Sequence, residues 1–211
     1  MESALTRIRV GPCPVLSDRA WLQVVAELHS VSSAGAGWWV EVTPHGEGPD
    51  DPVWAAWRRG RPHYASALMM RAAAWRAQHA HGAKAPCRLW VPCDPFRGDQ
   101  VYVRDVLRAR ERAGQPVRVV TSQASPRWAR HQALCDLVVL PDRGVFAPRY
   151  VDGVPAGAVV LSDTRVASAV AQELASLWEK AVPIGRWSPP TGVSTPQEGE
   201  NAGDECIHRP Q

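Results

Sequence analysis

The sequence predicts an α/β domain with a mixed, mostly parallel sheet flanked by helices. Short runs of β-branched and aromatic residues alternate with longer segments of helical periodicity, which favours strand–helix–strand units. Near the C-terminus, residues 137–140 are apolar, residues 141–144 (Pro-Asp-Arg-Gly) have turn chemistry, and residues 145–147 continue as a strand. This hairpin adds antiparallel pairs. A chain of 211 residues is long enough to bury one core of this kind.

The first half of the chain predicts two helices and two strands. We expect a helix over residues 19–29, a strand over 38–43, a helix over 64–81 and a strand over 87–91. Ser17 and Asp18 precede the first helix with side chains that accept hydrogen bonds from a helix N-terminus. Residues 44–64 predict no clear element, although Trp54 and Trp57 have the spacing of one helix face.

The second half begins with a helix that Asp99 could cap and that ends at Gly114, followed by a strand over residues 117–120. After the hairpin, residues 158–161 predict a third strand and residues 162–164 (Ser-Asp-Thr) predict a helix N-cap. The last helix has one apolar stripe and ends at Pro183. The stripe consists of Val166, Val170, Leu174, Leu177, Trp178 and Ala181.

These elements divide the chain into three parts. Residues 1–37 form an N-terminal extension with one helix, and residues 38–185 form the α/β domain. Residues 186–211 contain several prolines, glycines and acids with few large apolar side chains. Such a segment cannot bury enough surface to offset the entropy of ordering, so we expect a disordered tail.

The composition indicates in which cellular compartment the protein lies and whether it binds a metal or cofactor. No apolar stretch approaches the roughly 20 residues that span a bilayer, and the N-terminus lacks a signal-peptide pattern, so we expect a cytoplasmic protein without a membrane partner. Five cysteines at irregular spacing, without a Cys-x-x-Cys pair, predict free thiols. His79 and His81, with Cys87 and Cys93, come nearest to a metal set, but the two histidines would not share a helix face. We therefore expect no metal and no cofactor.

The middle of the chain is basic. Residues 54–131 contain 15 Lys and Arg against four Asp and Glu, a local charge of +11. A basic surface can bind nucleic acid through phosphate contacts. The alternative is that these arginines, which are spread along helices, are ordinary solvated positions whose stems cover apolar surface.

Two motifs near the C-terminus carry a family resemblance. Residues 157–161 read Gly-Ala-Val-Val-Leu, and residues 174–183 end in Leu-Trp-x-x-Ala-x-Pro. Earlier segments in the same order are residues 38–42 leading into 45–48 (His-Gly-Glu-Gly), residues 88–91, 113–119 and 138–143. From residue 38 to 184 the chain resembles the phospholipase D-like domain of actinobacterial LuxR-type and TrmB-like transcription regulators. The resemblance implies a single half of the phospholipase D-like sandwich.

The catalytic motif of that family is altered here. Active phospholipase D enzymes carry His-x-Lys-x4-Asp, in which the histidine attacks the phosphodiester and the lysine stabilises charge on its oxygens. If Asp142 occupies the aspartate position, Cys135 falls at the histidine and Leu137 at the lysine. The resemblance therefore implies a degenerate domain without phosphodiesterase activity. The single helix expected in residues 1–37 is too little for the helix-turn-helix that such regulators carry.

The resemblance implies a non-catalytic sensory or protein-interaction module in transcriptional regulation. Its partner would be a second protein, another copy of the chain paired through a sheet edge or the last helix, or a small-molecule effector. Two alternatives stay open. One is a small-molecule enzyme of a biosynthetic pathway that uses the strand-end loops near His45, Asp94 and Cys135. The other is a direct nucleic-acid binder that uses the Arg-rich middle.

Candidate ligand-binding residues lie in loops that follow the first two strands of the domain, because α/β sheets bind ligands at the carboxyl ends of their strands. These residues are His45, Glu47, Asp94, Arg97 and Asp99, with Trp128 as an aromatic wall. The alternative is that these loops are solvated turns.

Candidate catalytic residues are fewer. Cys135 and nearby His131 have the types of a nucleophile and its base, and Asp142 belongs to the altered motif. A cysteine needs surroundings that favour the thiolate before it can react. The alternative is a thiol packed at the start of a strand.

Overall fold

A computed structural model describes residues 13–30, 37–42, 52–79, 86–93, 96, 98–121, 136–151 and 154–189. Within these parts of the chain, eight strands form one open sheet. They are β1 (Val15–Leu16), β2 (Trp38–Glu41), β3 (Cys87–Trp90), β4 (Val117–Val119), β5 (Leu137–Leu140), β6 (Gly144–Val151), β7 (Val154–Leu161) and β8 (Val182–Pro183). Their order across the sheet is β1-β7-β6-β5-β2-β3-β4-β8.

Five helices accompany the sheet in the described residues. They are α1 (Asp18–Ser30), α2 (Pro52–Arg58), α3 (Pro62–His79), α4 (Gly98–Arg112) and α5 (Thr164–Lys180). Two of the predicted caps are present: the Ser17 hydroxyl accepts from the Ala20 N–H at 3.4 Å, and the Asp163 carboxylate accepts from the N–H groups of Arg165 and Val166. The α4 helix begins at Gly98, so Asp99 lies inside its first turn and not at the predicted cap position. The α2 helix forms where the sequence pattern predicted no clear element. None of the described helices is long and apolar enough to cross a membrane.

The sheet is mixed, as expected, but the expectation of mostly parallel pairing is wrong. Only β2–β3 and β3–β4 are parallel, and the other five pairs are antiparallel. The reason is that the chain segments connecting β5, β6 and β7 are short. Three residues separate β5 from β6 and two separate β6 from β7, too few for a crossover, so these strands must alternate in direction. The two-residue strands β1 and β8 then add antiparallel pairs at the two edges.

Helices cover the two faces of the sheet differently. On one face α5 packs through Val170 and Leu174 on the centre of the sheet, in the largest of three apolar clusters. On the other face the cover is in two parts. There α1 packs through Trp21 and Val24 over β5, β6 and β7, whereas α2, α3 and α4 pack over β3 and β4. On this face of the sheet, β2 lies between α1 on one side and α2, α3 and α4 on the other.

The ends of the described fold pack with the rest of the domain. The residues of β1 pair with β7, so part of the N-terminal extension belongs to the sheet. At the other end Trp187 is buried, with its ring centre 5.2 Å from that of Trp90 and 5.5 Å from that of Phe96. The packed domain therefore continues to Trp187, two residues past its predicted end. Residues 190–211, the rest of the predicted tail, lie outside the described residues.

Candidate functional site

A group of polar side chains lies on the sheet face between the two helical covers. We call these residues the polar seam: Trp39 and Glu41 of β2, Arg88 of β3, Arg110 of α4, Asp136 before β5, and Tyr150 of β6. Trp39 is opposite Arg88 in the parallel β2–β3 pair, and successive side chains on a strand alternate between faces. Trp39, Glu41 and Arg88 therefore share one face.

Arg88 forms the centre of the first half of the seam. It is only 2% exposed and makes an ion pair with Glu41. Its guanidinium carbon lies 4.3 Å from the centre of the Trp39 ring, within cation–π range. An Arg110 nitrogen lies 3.6 Å from the same Glu41 oxygen. The carboxylate thus lies between two guanidinium groups, which offsets the cost of burying Arg88.

Asp136 forms the centre of the second half. It is 2% exposed, and both of its carboxylate oxygens are used: Oδ1 accepts from the Val42 N–H at 2.8 Å, and Oδ2 accepts from the Tyr150 hydroxyl at 2.9 Å. Burial, and then the charge of Asp136, raise the pKa of Tyr150 well above its ordinary value. Glu41 raises this pKa further and Arg88 lowers it, so the two halves of the seam interact electrostatically.

The seam lies near the edge of the sheet where ligand sites are expected. The parallel strands β2 and β3 end side by side, with Glu41 opposite Trp90, and β5 begins at the same edge. Ligands of α/β sheets bind outside such carboxyl ends. The predicted ligand residues follow these two strands in the sequence.

Most of the predicted site residues lie outside the described residues. These are His45, Glu47, Asp94, Arg97, Trp128, His131 and Cys135, together with His81 of the metal alternative. Asp99 lies in the first turn of α4, but its side chain is not among those described. The proposed pocket and the Cys–His pair therefore stay predictions.

Asp142 lies away from the seam. It is exposed in the β5–β6 turn, at the opposite end of β5 from Asp136. A strand rises about 3.3 Å per residue, so the turn is roughly 15 Å from the start of β5. Leu137, which the resemblance places at the lysine position of the motif, is fully buried in the cluster beneath α5. The structure thus does not bring Asp142 to the end of β5 that follows residue 135.

The described thiols and acids give few options for other chemistry. Among the described residues, Cys13, Cys87 and Cys93 are outside any disulfide and are partly buried. Burial raises the pKa of the Cys87 thiol, an effect that nearby Arg118 partly opposes, and this disfavours the reactive thiolate. Among the described side chains, no three or more of His, Cys, Asp and Glu gather as a metal site.

Comparison with known proteins gives a family match. A family model described as a domain of unknown function (DUF6879) matches residues 35–189. The chain belongs to this family. The matched region includes β2 to Trp187 and therefore the whole polar seam. No curated protein and no solved structure matches the chain.

Sequence reasoning missed the seam. A signal was present, because Glu41 and Arg88 are charged residues inside short strand runs that are otherwise mostly buried. Charged residues are seldom buried unless they are paired, so the two together could have indicated an ion pair. Asp136 and Tyr150 gave no comparable signal, since their partners depend on how β5 and β6 are placed in the sheet.

Proposed function

We propose that this chain is a non-catalytic sensory or protein-interaction module in transcriptional regulation. It would use a phospholipase D-like fold from which the His-Lys-Asp motif has been lost. The observation that carries the proposal is the internal pairing of the seam. Glu41 is held by two guanidinium groups and Asp136 by two donors, so both carboxylates serve the fold.

The position of the altered motif supports the same conclusion. Phosphodiester hydrolysis needs a nucleophile and a group that stabilises charge on the phosphate within one site. In this chain Leu137 occupies the lysine position as part of the apolar core, and Asp142 faces solvent in a turn. These two residues cannot act on one substrate.

The seam is suited to sensing because it connects several elements of the domain. Its ion pairs and hydrogen bonds join β2 to β3, α4 and the start of β5, and β5 to β6. A polar effector at the carboxyl edge of β2 would compete for Glu41 or Asp136. Losing one of these contacts would change the relative stability of elements that the seam holds together, which is how a ligand shifts a conformational equilibrium.

Two measurements test the proposal. Deletion of the gene in its native host should change the transcript levels of a defined gene set, and the wild-type gene should restore them. Purified protein should hydrolyse a chromogenic phosphodiester no faster than buffer does. Turnover that disappears in an Asp142→Ala variant, or an unchanged transcript profile after deletion, would overturn the proposal.

A further inference from the structure

The helices α2 and α3 form a hairpin whose formal charge is wholly positive. Residues 52–79 contain five arginines and no Asp, Glu or Lys. The α2 helix ends at Arg58, and α3 begins at Pro62 after a three-residue turn in which Gly60 has a φ of 67°. Helix-turn-helix units also join their two helices by a turn of three or four residues that often contains glycine.

The arginines of this hairpin differ from the others in the basic middle. Elsewhere in the basic middle most of the described arginines serve the fold: Arg88 and Arg110 pair with Glu41, Arg104 with Asp105, and Arg108 and Arg118 donate to main-chain carbonyls, whereas Arg112 is exposed at the end of α4. The hairpin arginines Arg58, Arg59, Arg61 and Arg71 are exposed. Solvated helices usually balance arginine with acids three or four residues away, and this hairpin has none.

The outer face of α3 is exposed to solvent and carries two small side chains. Tyr64, Ala67, Arg71 and Ala74 follow the three- and four-residue spacing of one helix stripe, and all four are exposed. We call these four residues the outer stripe. The opposite side of α3 is buried through Ala65 and Met69. The two alanines let the helix backbone approach a partner closely, and Tyr64, 58% exposed, is the one aromatic side chain of the stripe.

We propose that the α2–α3 hairpin binds double-stranded DNA, with the outer stripe in the major groove and Arg58, Arg59 and Arg61 on phosphates. The major groove admits an α-helix, and the planar guanidinium group suits phosphate oxygens. An acidic protein would also be attracted by the charge. Protein interfaces, however, centre on several large buried anchors, whereas the outer stripe offers one aromatic anchor, Tyr64, beside Arg71, whose charge also suits phosphate. The observations therefore favour double-stranded DNA over an acidic protein as the partner.

The test is fluorescence anisotropy of the full chain with a labelled duplex at about 50 mM and about 200 mM salt. The wild-type chain should bind at low salt and weaken as salt rises. The double variant Arg59→Ala/Arg61→Ala should bind at least about tenfold more weakly, and its slope of log affinity against log salt should be shallower by about 2. The matched control Arg149→Ala/Arg165→Ala removes the same charge from exposed positions on β6 and α5, and should stay within about twofold of wild type.

A second pair of variants tests the placement of α3. Ala67→Glu puts a negative charge on the outer stripe and should abolish binding, whereas Ala175→Glu, at an exposed position on α5, should not. Circular dichroism checks that each variant is folded. No binding by wild type at low salt, or equal losses in the two double variants, would overturn the proposal. Displacement by polyglutamate as effective as by unlabelled duplex would also overturn it, and would indicate an acidic protein partner.

Discussion

Arg118 of β4 donates a hydrogen bond of 2.6 Å to the main-chain carbonyl of Trp178, and its guanidinium carbon lies 4.7 Å from the centre of the Trp178 ring. The same ring packs edge-on against Trp38, with 5.9 Å between ring centres. Pro183 pairs with Arg118 in the sheet. The Leu-Trp-x-x-Ala-x-Pro motif thus joins the end of α5 to β2 and β4, and this packing is sufficient to explain its pattern.

Replacing Arg118 should loosen the end of α5. Arg118→Ala removes a charged hydrogen bond and a cation–π contact, so we expect the free energy of unfolding to fall by about 1–3 kcal/mol in urea titrations. Arg118→Lys keeps the charge without the planar fork and should recover only part of this loss. Arg165→Ala, at an exposed position on α5, is the control; a loss as large as that of Arg118→Ala would contradict the assigned contact.

Gly157 allows β1 to approach β7. Its φ is +97°, and an added Cβ would lie 2.2 Å from the Leu16 carbonyl oxygen. Gly114 has a φ of +92° with no atom within 4 Å of an added Cβ, so it is a matched control. In both variants alanine must adopt a positive φ, which costs about 1–3 kcal/mol. Only Gly157→Ala adds the clash with the Leu16 carbonyl oxygen, so it should have the lower free energy of unfolding in urea titrations. Equal unfolding free energies for the two variants would show that β1 does not depend on this contact.

Local signals predicted much of the fold. The N-cap of α5 and its apolar stripe lie within one segment, so Asp163, Val170 and Leu174 could be assigned from sequence. The hairpin of β5 and β6 was predicted for the same reason. The polar seam could not be predicted in this way, because Val42 and Asp136 are 94 residues apart and Glu41 and Arg88 are 47 apart. Such pairs depend on strand order, which the chain's local pattern does not specify.

Tyr150→Phe should destabilise the protein in a pH-dependent way. Below pH 10 the wild-type chain should be more stable by about 1 kcal/mol, because it keeps the hydrogen bond to Asp136. The pKa of Tyr150 is raised in the folded state above its ordinary value of 10.0. Above pH 10 the unfolded chain therefore loses a proton that the folded chain retains, and the wild-type advantage should fall by about 1.4 kcal/mol per pH unit. Urea unfolding of both proteins from pH 8 to about pH 11 measures this change.

The control is Tyr64→Phe, which removes a hydroxyl group from an exposed position on α3. Parallel pH profiles for wild type and Tyr150→Phe would contradict the burial of the Tyr150 hydroxyl against Asp136.

Cys87 should react slowly in the folded protein. Burial raises the pKa of its thiol, and the thiolate is the form that alkylating reagents attack. Mass spectrometry of peptides after iodoacetamide treatment should show several-fold slower labelling of Cys87 in native protein than in urea. Faster labelling in the native state would indicate an activated thiol and would count against a structural role.

The most direct test of the non-catalytic assignment is the transcript profile of the deletion strain when it carries the Asp142→Ala gene. Asp142 is the residue that the proposed resemblance places at the aspartate of the motif, and it lies exposed in a turn away from the seam. We predict that this variant restores the transcript levels as fully as the wild-type gene does. Failure of the folded, expressed variant to restore them would contradict the assignment and return Asp142 to a functional site.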